Sequence, residues 1–251
     1  MQEYYMLGLL LIVGCIAGII NTLAGGGSLL TLPILIFMGL PPAIANGTNR
    51  IGILIQGVTT VAGFRSKGIR TPDFGIYMGL SALIGSVLGA KIAIDIKGET
   101  FNKILAVIMV VVVLFMVFKP KKLGLETVER ITGKYFWWSL LAFFFIGIYG
   151  GFIQAGIGIF ILLVLSSINQ INLVKSNAIK SLVVAIYTLA ALLVFILNDQ
   201  INFLYGIILA VGNATGGWFA SRWSVKKGDG MVKTFLIIMV IAMAGKLLWD
   251  S

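Results

Sequence analysis

Histidine is absent from the 251 residues, cysteine occurs once (Cys15), and acidic side chains number nine. Zinc sites assembled from His and Cys, disulfide frameworks and Cys–His nucleophile pairs are thereby excluded. Charge of either sign is scarce. Asp, Glu, Lys and Arg together make up 11% of the chain, where a soluble domain carries about 25%. That deficit excludes an ordinary water-soluble fold. What fills the space is apolar: 59% of residues, with a mean hydropathy of +1.05. Such a chain accommodates about ten membrane segments of roughly 20 residues joined by short loops, and it leaves no room for a separate soluble catalytic domain. The formal charge of +10 follows from the gathering of Lys and Arg in cytoplasmic loops and needs no nucleic acid partner. Met1-Gln2-Glu3-Tyr4 lacks the basic n-region of a secretory signal. The first apolar run also has a counterpart later in the chain, so it is expected to stay in the mature protein.

Self-comparison finds that counterpart. Ala24-Gly25-Gly26-Gly27 and Ala155-Gly156-Ile157-Gly158 stand 131 positions apart. At the same shift Asn46 meets Asn177, Gly75-Ile76 meets Gly206-Ile207, Gly85 meets Gly216, and Lys91 meets Arg222. Chance matching of apolar runs does not align Gly, Asn and a basic residue in this way, so an internal repeat is expected. Each half contains five apolar segments: 4–23, 28–40, 43–64, 72–94 and 101–118, then 135–154, 157–169, 174–197, 202–221 and 231–249. The second of each set is too short for an easy crossing, and either crosses or re-enters. Residues 1–118 thus form a first transmembrane repeat, 119–134 a basic cytoplasmic linker, and 135–251 a second repeat.

Loop charge sets the orientation. Basic residues cluster at Arg65, Lys67 and Arg70; at Lys119, Lys121, Lys122, Arg130 and Lys134; and at Arg222, Lys226, Lys227 and Lys233. The loop at Asn198-Asp199-Gln200 has none. All three clusters face the cytoplasm only if each half crosses an odd number of times. The expected fold is therefore all-α: a polytopic transmembrane helical bundle of two inverted-topology repeats, a design common among secondary transporters.

Candidate chemistry gathers at two places. Around Asn21-Thr22-Leu23-Ala24, the three glycines Gly25, Gly26 and Gly27 allow a tight bend with outward N–H groups. Ser28 is placed to cap the short helix that follows, whose N-terminus suits an anion. Gln154, Gly156 and Gly158 repeat the bend. In the third segments, Asn46, Thr48, Asn49 and Arg50 correspond to Asn177 and Lys180 with their neighbours. Ionisable groups inside a membrane segment are costly and usually face a polar pathway, whereas Lys175, near its segment end, is expected to snorkel. The acidic residues fall near segment ends or in loops, which removes the obvious ligands for a cation and the carboxylates for a proton relay. Paired cations, Gly bends and Asn amides favour a negatively charged substrate, and the arginine fork suits an oxyanion. Gly85 and Gly89 have the spacing of close helix packing, Asn213 is a weaker pathway candidate, and Trp137, Trp138, Trp218, Trp223 and Trp249 are placed as interfacial anchors.

The run Asn21-Thr-Leu-Ala-Gly-Gly-Gly-Ser-Leu-Leu-Thr-Leu-Pro-Ile-Leu35, followed by Pro41-Pro42-Ala43-Ile44-Ala45-Asn46-Gly47-Thr48-Asn49, resembles the sulfite exporter TauE/SafE family. The resemblance extends over nearly the whole chain, although Ile157 replaces one glycine of the second bend. It implies an inner-membrane transporter of sulfur-containing oxyanions such as sulfite or organosulfonates. It supports Gly25, Gly26, Gly27, Asn46, Thr48 and Asn49 with Gly156, Gly158, Asn177 and Lys180 as site residues. The residues by themselves point only to a small anion.

The expected protein is a multi-pass transporter of the cytoplasmic membrane that works by alternating access. No metal, cofactor or nucleic acid is expected, its surroundings are membrane lipid, and a homodimer stays open. An anion channel, or an accessory subunit of a membrane complex without transport of its own, are the alternatives. Enzyme chemistry would be confined to Lys180 with Ser176 or Ser181, so the chain is read as a non-enzyme.

Overall fold

Helix length separates two kinds of element along the chain. The computed structural model describes residues 2–118 and 128–224, and among these residues there are nine α-helices and no strand. The long ones are α1 (Gln2–Leu23), α3 (Pro42–Arg65), α4 (Asp73–Asp95), α5 (Gly98–Phe118), α6 (Gly133–Phe152), α8 (Leu173–Leu197) and α9 (Phe203–Ser224); the short ones are α2 (Ser28–Phe37) and α7 (Ile157–Ser167). Among the described residues, α1 from Tyr4, α4, α6, α8 and α9 are long and apolar enough to cross a membrane. In α3 the length suffices, but Asn46, Thr48, Asn49, Arg50, Gln56 and Thr60 dilute the apolar character, and all six side chains are buried against protein. The expected segment 231–249, the linker residues 119–127 and the bases Lys226, Lys227 and Lys233 lie outside the described residues.

Segment boundaries agree with expectation to within about three residues, with one physical correction in each half. The second segments, expected at 28–40 and 157–169, are helical for only 10 and 11 residues. At 1.5 Å per residue each reaches roughly 15 Å, about half the hydrocarbon core. Gly39, at φ 92°, turns the chain after α2, and Pro42 then starts α3 where its missing N–H costs nothing. The expected Ser28 cap does not form, because Gly27 is the N-cap and Ser28 is already the first helical residue. Asn172 caps α8 instead, accepting from the Lys175 backbone N–H at 2.9 Å. The Lys175 ammonium pairs with Glu129 at 2.6 Å in a half-buried ion pair.

Packing crosses between the halves reciprocally. The first long helix of each half lies along the fourth of the other, α1 on α9 and α6 on α4. The third helices do the same, α3 on α9 and α8 on α4, and α3 also meets α8. Glycines set the first two seams. A Cβ at Gly85 or Gly89 would run into the backbone of Phe144 and Ile148 in α6, and one at Gly212 or Gly216 into that of Leu11 and Cys15 in α1. Contact order along the seams gives direction. Gly52 lies by Leu209 and Gly63 by Ser221, so α3 and α9 run parallel; Gly47 lies by Phe195 but Gly57 by Ala185, so α3 and α8 run antiparallel. The ends of α3 and α9 that carry Arg65 and Arg222 therefore lie together, and both side chains are exposed. Trp137 and Trp138, near the start of α6, are 68% and 62% exposed, as side chains facing lipid headgroups are.

Candidate functional site

Two helices end, and two begin, where the halves meet. After α1 the chain bends through Gly25 at φ 82°, and after α6 through Gln154 and Gly156 at φ 59° and 70°. The bends touch directly. Gly158 N–H donates to the Gly25 carbonyl at 3.2 Å, and a Cβ on Gly25 would sit 2.5 Å from Gly158 Cα. Glycine is required at both positions by this approach, and at Gly25 also by its dihedral angle.

A helix that ends inside protein leaves carbonyls without partners and a partial negative charge. Each such end here is met by a cation from the opposite half. Arg50 on α3 is fully buried. Its Nη1 donates to Gly150 O at 3.0 Å and Gln154 Oε1 at 3.1 Å; its Nη2 donates to Gly151 O at 2.5 Å and Asn46 Oδ1 at 3.3 Å. The guanidinium carbon lies 4.7 Å from the Phe195 ring centroid. Asn46 completes the clasp by donating from Nδ2 to Phe152 O at 2.7 Å. Gln154 in turn donates to Tyr187 Oη at 3.1 Å and Thr188 Oγ1 at 3.0 Å.

Lys180 on α8 does the same for α1. Its ammonium donates to Asn21 O and Thr22 O, each at 2.9 Å, and to Asn177 Oδ1 at 2.6 Å. Its surroundings differ from those of Arg50, because a narrow cleft opens beside it between α1, α3 and α8, lined by Asn21, Gln56, Thr60, Lys180 and Ser181 with Ile53, Gly57 and Val184. Asn21 Nδ2 donates to Gln56 Oε1 at 3.0 Å. Gln56 Nε2 donates to Gly18 O at 3.1 Å and Thr22 Oγ1 at 3.3 Å, and the hydroxyls of Thr22 and Thr60 lie 3.3 Å apart.

The bends thus bring together Asn21, Gly25, Gly158, Asn46, Arg50, Gln154, Asn177 and Lys180, with Gly26, Gly27 and Ser28 on the turn into α2. Among the described residues the N–H groups of Gly26, Gly27 and Ser28 donate to no backbone carbonyl. Three positions fall elsewhere. Thr48 Oγ1 accepts from Asn202 N at 2.8 Å, before α9. Asn49 faces α2, where its Oδ1 accepts from Thr31 Oγ1 at 2.7 Å, and its buried Nδ2 has no partner among the described residues. Gly156 packs on Val112 of α5. Sequence reasoning did not single out Gln56 and Thr60, although they extend the polar stripe of Asn46 and Asn49 at steps of three, seven and four residues, a helical period. Ser176 and Ser181, the hydroxyls considered for enzyme chemistry, donate to the backbone carbonyls of Ile171 and Asn177.

The family model described as "Sulfite exporter TauE/SafE" matches residues 10–247. The chain belongs to the TauE/SafE family. Relatives include "Probable membrane transporter protein YfcA" of Escherichia coli (strain K12), 30% identical over 247 residues that make up 98% of this chain and 91% of that protein. A "Probable membrane transporter protein" of Haemophilus influenzae is 28% identical over 247 residues, 98% and 96% of the two chains. "Probable membrane transporter protein ORF9" of a Sinorhizobium species is 28% identical over 248 residues, 98% and 94%. No solved structure matches the chain. This TauE/SafE protein is a membrane transporter, a multi-pass helical protein of the cytoplasmic membrane.

Proposed function

We propose that the chain is a secondary transporter of small anions, sulfur oxyanions such as sulfite or organosulfonates, working by alternating access between two inverted halves. The observation that carries this reading is the pair of buried cations at the junction of the two Gly bends. Each neutralises a helix carboxyl end worth roughly half a negative charge, so the centre keeps a net positive potential inside a low-dielectric surround. The turn into α2 adds the N–H groups of Gly26, Gly27 and Ser28, which donate to no backbone carbonyl among the described residues. A small oxyanion complements both. The antiparallel course of α3 and α8 and the reciprocal seams support the inverted arrangement, in which one half rocks against the other. The sulfur oxyanion class rests on the family description.

The test is uptake into proteoliposomes of purified protein, with a panel of radiolabelled sulfite, sulfoacetate, sulfate and chloride, with and without a pH gradient. Saturable uptake and counterflow of a sulfur oxyanion are expected. Conductance without counterflow would make the protein a channel, and the absence of flux for every anion would remove the reading altogether.

A further inference from the structure

The two buried cations are equivalent in the repeat but not in their surroundings, and the difference assigns them separate tasks. The four Nη–H groups of Arg50 are spent on fixed acceptors of α3 and the α6 terminus, its Nε–H has no partner among the described residues, and the Phe195 ring lies over the guanidinium. The Lys180 ammonium is bonded as well, to Asn21 O, Thr22 O and Asn177 Oδ1, so the difference lies in the space beside it. Lys180 borders the cleft between α1, α3 and α8, the other polar lining coming from Asn21, Gln56, Thr60 and Ser181. Hydroxyl and amide groups on three different helices thus converge beside one ammonium.

We propose that the Lys180 cleft is the substrate seat, with Gln56, Thr60 and Ser181 determining which anion it accepts, whereas Arg50 supplies charge and holds α6 without touching the substrate. This assignment rests on the anion-transport reading above. The free space in the cleft, about 10 Å³, takes one water and no oxyanion. The seat is therefore shut in this conformation. The bonds that shut it between α1 and α3 are neutral ones: Asn21 to Gln56, Gln56 to Gly18 O and Thr22 Oγ1, and the Thr22–Thr60 hydroxyl pair. Movement of α1 away from α3 breaks all four and frees the amides of Asn21 and Gln56 and the Thr60 hydroxyl to turn toward an anion. Ser181 gives up only a bond to a carbonyl in its own helix, Asn177 O. The seat then offers an ammonium and neutral hydrogen-bond donors, the chemistry that a tetrahedral or pyramidal oxyanion requires.

The experiment is initial-rate uptake of radiolabelled sulfite into proteoliposomes of the full chain, comparing Thr60→Val and Ser181→Ala with Thr188→Val, which removes a hydroxyl on the Arg50 side. Thermal midpoints in detergent establish that each protein is folded. Thr60→Val and Ser181→Ala are expected to raise KM about ten-fold each, as loss of one hydrogen bond to a charged group does, and to alter the sulfite-to-sulfoacetate preference. Thr188→Val should keep the wild-type KM and preference. Unchanged KM and preference in folded Thr60→Val and Ser181→Ala protein, or an equal change in Thr188→Val, overturns the assignment; if Thr60→Val does not fold, Ser181→Ala decides alone. Saturable wild-type uptake with unaffected variants sinks the cleft and leaves the transporter reading standing, whereas wild-type protein without uptake sinks both.

Discussion

Arg50 illustrates what a buried charge needs. Its acceptors are two carbonyls and two side-chain amides, three of them about 100 residues away in the sequence. Removing the guanidinium strands those carbonyls and opens a gap under Phe195. Arg50→Gln should therefore lower stability by about 3–5 kcal/mol, the cost of breaking a buried charged network, measured as the fall in thermal midpoint of purified protein. Arg50→Lys retains the charge but not the planar fork, so its midpoint should lie between the two. The depth of Arg50 and Lys180 was legible in the sequence because each sits well inside an apolar segment without a neighbouring acid. Their partners were not legible. A carbonyl acceptor has no side-chain signature, and Gly150, Gly151, Asn21 and Thr22 belong to helices that only the tertiary fold brings near.

Among the elements, the long helices were readable from their apolar length, and the short α2 and α7 from the glycines that precede them. The ends of the short ones were not, because residues 38–40 are as apolar as the helix before them and only the Gly39 turn separates the two. Glycine also decides how closely helices meet. On the α4–α6 seam, Gly89→Leu would drive a side chain into the Ile148 carbonyl. It should destabilise the protein by about 1–3 kcal/mol or more, whereas Gly8→Leu, where a Cβ meets nothing within 4 Å, should not; thermal unfolding of the two in parallel checks this. Gly158→Ala belongs to the same class but acts where the halves touch. Its methyl would collide with Gly25 Cα, so flux should fall even in molecules that remain folded, and the ratio of uptake to folded protein measures that loss.

For the whole molecule, the expectation of a repeat rests on Gly, Asn and basic residues recurring at one shift, and the expected direction of each half on loop charge. The exchange of partners between halves could not be read, since a shift in sequence carries no information about which copy of a helix packs against which. That exchange has an energetic result: the positive charge of each half stabilises a helix end of the other. Neutralising both, as Arg50→Gln with Lys180→Gln, should abolish anion flux, and wild-type rates in folded double-variant vesicles would contradict the electrostatic basis of the proposed function. Under the proposed rocking of one half against the other, the backbone bond from Gly158 to Gly25 would be the fulcrum, where the lever arm is shortest and displacement is least. Spectroscopic labels flanking that point should keep one separation throughout turnover, while labels at the far tips of α3 and α8 should report two.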